Sequence, residues 1–242
     1  VAIDFNLWQR VVVLGGGGTL GSALLAETLV AGRFAAVHAL AAGPWPSTLR
    51  GLKPLTAEQF AQHRGWAAEL AFVVFERGRH ANGRDQAFVM PALDELPGLA
   101  RTLREGGVRR LVVVLPHAPA LLPQALKAGL ATLDETAVAA LGFEHLVFVR
   151  AAQALVAAPA GGRVQRFAGW WLSQLSWMVP QREQPQRAVV LAALVVALAR
   201  LLPQLPAGTR VLPPEVLGTA AADGDAAMAE RLAAWWRQGA LV

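Results

Sequence analysis

Three features of this 242-residue chain predict an α/β fold built on a Rossmann-like, doubly wound parallel sheet. Short apolar, β-branched runs alternate with stretches of helical spacing as far as residue 150. The runs are continuous rather than polar–apolar alternating, which is how strands buried on both faces of a parallel sheet read. A glycine-rich turn joins the first run to the first helical stretch, the opening of a βαβ unit.

The elements follow in order. The first strand is expected at 10–14, the glycine turn at 15–18, and a helix at 22–31 that ends at Gly32, a C-terminal cap. A second strand follows at 35–41, a short third at 51–55, a short helix at 57–63 and a strand at 70–75. Residues 86–105 read as a helix carrying Pro91 and Pro97, so a kink or a late start is expected. Gly106 and Gly107 end it. The most strongly patterned strand is 110–115, followed by a helix over 119–141 closed by Gly142 and a strand at 145–149. About six strands therefore alternate with helices. Beyond Arg150 the pattern changes to a loop (157–162), a Trp-rich amphipathic segment (167–178) and a proline-flanked polar linker (180–186). An apolar helix (188–202), a short strand (209–212) and a terminal helix (220–238) with Trp235 and Trp236 complete the chain. One domain is expected over 1–242, with its core at 8–150 and a small, mostly helical C-terminal lobe at 151–242. The sequence contains no internal repeat.

Composition removes several classes of function. With 55% apolar and 16% charged residues, the chain has the apolar surface to fold, which excludes disorder. It has no cysteine, so disulfides, zinc–thiolate sites, iron–sulfur clusters and a cysteine nucleophile are excluded. The net charge is +5, and all the basic residues except Lys53 and Lys127 are arginines. They are scattered, without a basic run interleaved with aromatics, which argues against a nucleic-acid partner. The polar start does not read as a signal peptide. The apolar helix at 188–202 is about 15 residues long against the roughly 20 that span a bilayer. No membrane span and a cytoplasmic location are expected.

The informative motif is Gly15-x-x-Gly18-x-x-Gly21 between a buried strand and a helix. The first glycine allows the tight turn, the second lets a pyrophosphate approach the backbone, and the third lets the helix pack closely. The phosphates would sit at the helix N-terminus, where N–H groups are unpaired and the dipole is positive. The cofactor-binding set is therefore Gly15, Gly18, Thr19, Leu20 and Gly21, with Ala42, Phe75 and Leu115 at the carboxyl ends of three strands. An acidic residue after the second strand would favour NAD and a nearby arginine NADP. Ala41-Ala42-Gly43-Pro44 carries neither, so the choice between NAD and NADP stays open. Arg50 is the nearest downstream cation and the one hint of NADP.

The chain resembles the atypical, or extended-type, short-chain dehydrogenase/reductase superfamily, and within it the NmrA-like NAD(P)H-binding proteins. The resemblance is carried by the segment from Val11 to Gly21, the strand from Phe72 to Phe75, the segment from Arg101 to Leu115, and the segment from Leu141 to Arg150. It implies a dinucleotide-binding protein and covers about residues 8–215. The departures are at the chemistry. The family's strand before the catalytic helix ends in serine, whereas this one ends Leu115-Pro116-His117. The family's Tyr-x-x-x-Lys is absent, because the chain has no tyrosine. Lys127 falls at the lysine position with Pro123 in place of tyrosine, or at the tyrosine position with Ala131 in place of lysine. Ala151 replaces the family proline.

His117, leaving the sheet at its carboxyl edge, and Lys127 are the candidate catalytic residues. Glu76 and Arg77 end a strand at the same edge and are expected to line the cleft or to pair with each other. Asp134 and Glu135 have no histidine partner at metal spacing, and no metal site is expected. The tryptophans of the C-terminal third form either an aromatic core or a homodimer face or ligand pocket. Three functions remain open at this level. One is a dinucleotide-binding protein without standard Ser-Tyr-Lys catalysis, acting as a redox sensor, scaffold or regulator with a protein partner. The second is an NAD(P)-dependent oxidoreductase or epimerase-like enzyme acting on a small molecule through His117 and Lys127. The third is an interaction module whose nucleotide site is vestigial.

Overall fold

The computed structural model describes residues 9–32, 34–44, 49–76, 87–116, 134–151, 188–213, 216–217 and 225–238. They form a seven-stranded sheet in the order β3-β2-β1-β4-β5-β6-β7. The strands are β1 (Gln9–Leu14), β2 (Phe34–Leu40), β3 (Leu52–Leu55), β4 (Leu70–Val74), β5 (Arg110–Pro116), β6 (His145–Ala151) and β7 (Gly208–Leu212). Every neighbouring pair is parallel. The order turns back between β1 and β4, which creates the switch point at which such sheets bind ligands beyond the carboxyl ends of their strands.

The side-chain period of two divides the valine-rich strands between two cores. Val11 and Val13 of β1, with Phe72 and Val74 of β4, face one layer. That layer contains α1 (Gly18–Val30), α4 (Ala188–Leu201) and α5 (Asp225–Gln238). Val12, Leu14, Val73 and Phe75 face the other layer, with Phe60 of α2 (Ala57–Ala61) and Leu96, Ala100 and Leu103 of α3 (Leu96–Glu105). The apolar helix predicted at 188–202 is α4. It packs against both α1 and α5, which accounts for its lack of a polar face. Among the described residues no helix is long and apolar enough to cross a membrane.

One boundary differs from expectation and one expected late start is found. Helix α1 starts at Gly18 rather than at residue 22, so its first turn is built from the glycine turn itself. The stretch at 86–105 becomes helical only at Leu96, after a short 3-10 turn at Leu93–Glu95, with Pro97 in the first turn where its missing N–H costs nothing. Residues 87–89 instead pair with the end of β2. Ala41 bridges Phe88 in antiparallel fashion, Ala42 donates its N–H to the Ala87 carbonyl (2.9 Å), and Val89 donates to the Leu40 carbonyl (3.1 Å). Of the helix expected at 119–141, residues 134–139 are helical and 140–141 form a turn, while 119–133 lie outside the described residues, as does the Trp-rich segment at 167–178.

Candidate functional site at the β1–β4 switch point

The glycine turn leaves β1 at the switch point, and two of its glycines are required by close approach. Gly15 has φ +79°, and a Cβ there would overlap the Val74 carbonyl oxygen at the end of β4. A Cβ on Gly21 would overlap the Gly15 carbonyl oxygen, and would lie 3.0 Å from the Gly15 carbonyl carbon and 3.1 Å from that of Gly16. Helix α1 therefore sits directly on the turn. Its first N–H groups, which have no partner within the helix, converge just outside it.

These N–H groups hold an internal anion. Thr19 donates to Glu76 Oε1 at 3.2 Å, Leu20 to Oε2 at 2.9 Å and Gly21 to Oε2 at 3.5 Å. The alternation along β4 accounts for this placement. Leu70, Phe72 and Val74 face the α1 layer, Phe75 turns to the opposite core, and Glu76 returns to the α1 side two residues beyond the strand. A negative group there meets three unpaired donors and the positive end of the helix dipole. Glu76 thus caps α1; Arg77, the other residue expected at this edge, lies outside the described residues. The period of two carried past Val74 is the sequence signal that points to this.

The adenosine side of such a site lies at the end of β2. Here Ala42 is exposed and its N–H is engaged by Ala87. The Phe88 ring rests on Gly16, 3.4 Å from where a Cβ would be, and Pro91 reaches toward Gly15. Nothing in the spacing of the sequence singles out Phe88, because its placement depends on a bridge to a strand distant in sequence. Arg50 is exposed in the turn before β3.

On the other side of the switch point the Phe75 side chain is buried in the α2–α3 core, and its N–H donates to the Val114 carbonyl at 3.0 Å. Leu115 is partly buried against the same core. Arg150, at the carboxyl end of β6, donates Nη2–H to both oxygens of Glu135 at 2.9 and 3.1 Å. Burial raises the Glu135 pKa above its ordinary value despite the guanidinium beside it. His117 and Lys127 lie outside the described residues. Among the described residues no group of histidine and carboxylate side chains is placed to hold a metal.

No protein-family model matches the chain, and no curated protein matches it. Solved structures do match. A Bacillus halodurans protein described as an NAD-dependent epimerase/dehydratase is 13% identical, with a TM-score of 0.52 over 87% of this chain and 99% of that one. A nucleoside-diphosphate-sugar epimerase of Staphylococcus aureus is 14% identical, with a TM-score of 0.51 over 87% and 76% of the two chains. A short-chain dehydrogenase/reductase superfamily protein of Agrobacterium tumefaciens, solved with bound NAD, is 14% identical, with a TM-score of 0.50 over 88% and 82%. The chain therefore has the α/β fold of the epimerases and short-chain dehydrogenases, as its resemblance implied.

Proposed function

We propose that this chain binds a nicotinamide dinucleotide at the glycine turn and acts as a redox-sensing or scaffolding protein without Ser-Tyr-Lys catalysis. One observation carries the reading. The N–H groups of Thr19, Leu20 and Gly21 converge on a single oxyanion at the switch point of the sheet, and they already hold a carboxylate there. A phosphate oxygen has the same acceptor chemistry. The fold it shares with proteins described as NAD-dependent or solved with NAD supports the reading. The absence of tyrosine supports the loss of the usual proton donor.

The test is a titration of the purified protein with NADH and NADPH, read by energy transfer from the eight tryptophans to the reduced nicotinamide. Saturable binding is expected. Absence of binding at millimolar nucleotide would refute the reading. An Arg50→Ala variant tests the nucleotide preference: weaker NADPH binding with unchanged NADH binding assigns Arg50 to a 2′-phosphate, and equal effects on both remove that role.

A further inference from the structure

The site proposed for the dinucleotide is already filled by the chain. An anion occupies the helix N-terminus, the Phe88 ring covers Gly16, and the 87–89 backbone takes up the hydrogen-bonding groups of Leu40 and Ala42 at the end of β2. These elements cover the pyrophosphate position and the adenosine side together. We infer that Glu76 is an internal phosphate mimic, a carboxylate that holds the ligand-free site closed and that the pyrophosphate of a dinucleotide must expel. This rests on the dinucleotide-binding reading above and adds the regulation of that site.

The chemistry favours competition over joint occupancy. Each of the three donors has one hydrogen, and Glu76 Oε2 already takes two of them. A diphosphate placed at the same amides would stand against a carboxylate within a few ångströms, like charges in a partly buried cleft. The mimic is also displaceable. Gly18 is crowded by the Glu76 carboxylate, the far end of a flexible side chain, whereas Gly15 and Gly21 are crowded by backbone. Expelling the carboxylate moves a side chain and leaves the strand in place. The cost is the loss of its charge-assisted hydrogen bonds at the helix end, so the carboxylate lowers dinucleotide affinity while stabilising the empty protein.

The test compares wild type, Glu76→Gln and Glu76→Ala by calorimetric titration with NADH and with ADP-ribose, alongside thermal melts of the unliganded proteins. Glu76→Gln keeps the shape and removes the charge, so it guards against loss of fold in the alanine variant. Both variants are expected to bind ADP-ribose about tenfold more tightly than wild type, roughly 1.4 kcal/mol, and Glu76→Ala is expected to melt at a lower temperature without ligand. Equal affinities in all three proteins would overturn the phosphate mimic and leave the dinucleotide reading standing. Weaker binding by the variants would also overturn it, because Glu76 would then be helping to hold the ligand. No binding by any of the three would overturn both.

Discussion

Replacing Gly21 with alanine is the sharpest test of how the turn is built. Gly21 lies inside α1 without a positive φ, so the penalty is steric rather than conformational. The new Cβ would overlap the Gly15 carbonyl oxygen and crowd the carbonyl carbons of Gly15 and Gly16 at 3.0 and 3.1 Å. All three are backbone atoms of a turn fixed between β1 and β4, so none can rotate aside. Relief requires α1 to lift from the turn, which loosens Leu20, Leu24 and Leu25 in the core they share with α4. Overpacking of this kind costs on the order of 3 kcal/mol. For a domain of this size that lowers Tm by roughly 6–12 °C. Urea unfolding followed by tryptophan fluorescence measures it, and a variant within about 0.5 kcal/mol of wild type would refute the close-packing argument. Gly18→Ala is the internal control. Its φ of +72° imposes a left-handed strain, about 1–2 kcal/mol, and its Cβ meets the Glu76 carboxylate. Combining it with Glu76→Ala should relieve the second contribution alone, a non-additivity of at least about 0.5 kcal/mol. Strict additivity would show that the two side chains do not meet.

Two further predictions concern pH. His38, buried in β2, has its pKa lowered from 6.5 to about 4, first by burial and then by Lys53 and Arg10. Its stabilising contribution is complete above the unfolded value of 6.5 and is lost as pH falls toward 4. At about 1.36 kcal/mol per pH unit this amounts to about 3 kcal/mol. His38→Leu should flatten that limb of a stability–pH profile, and an unchanged slope would remove His38 as its source. Glu135 has the opposite sign. Its folded pKa lies above the ordinary 4.5, so its contribution is greatest below 4.5 and is lost as pH rises through the folded value. Glu135→Gln should remove this loss. Arg150→Ala should instead destabilise near neutral pH by about 1–3 kcal/mol, because it strands the carboxylate; denaturant midpoints at pH 7 distinguish the two, and a neutral Arg150→Ala variant would show that the pair carries no weight.

The sheet was legible because burial on both faces imposes continuous runs of β-branched residues, and 110–115 and 70–75 could serve little else. The turn was legible because close approach permits only glycine at 15 and 21. The late start of the helix in the stretch at 86–105 was legible from Pro91 and Pro97, but the pairing of residues 87–89 was not, because it depends on Leu40 and Ala42, more than forty positions earlier. Arg110 follows Arg109 in sequence, a basic doublet whose burial the spacing does not reveal. In the fold it is buried, with Glu69 at 3.7 Å and Glu144 at 3.9 Å, carboxylates supplied by two different connections. Glu76 lies between these cases. Its face follows from the strand period, but its partner is set by where α1 begins.

The polar groups at the two edges of the sheet are satisfied in different ways, and the difference separates packing from binding. At the amino edge the partners are permanent parts of the fold. His145 Nε2–H donates to the Leu205 carbonyl at 3.0 Å, its ring lies 5.7 Å from that of Trp236, and Trp236 Nε1–H donates to the Pro206 carbonyl at 2.9 Å. These bonds tie β6 to the connection before β7 and to α5. Removing His145 orphans the carbonyl of buried Leu205, removing Trp236 empties a fully buried site, and neither offers anything new to a ligand. At the carboxyl edge Glu76 satisfies three N–H groups with a single side chain, and those donors belong to a helix end beside the switch point. Removing it frees those three donors, which the reading above expects an external anion to take up. Variants at His145 or Trp236 should therefore change stability with little effect on nucleotide affinity, while variants at Glu76 should move the two in opposite directions.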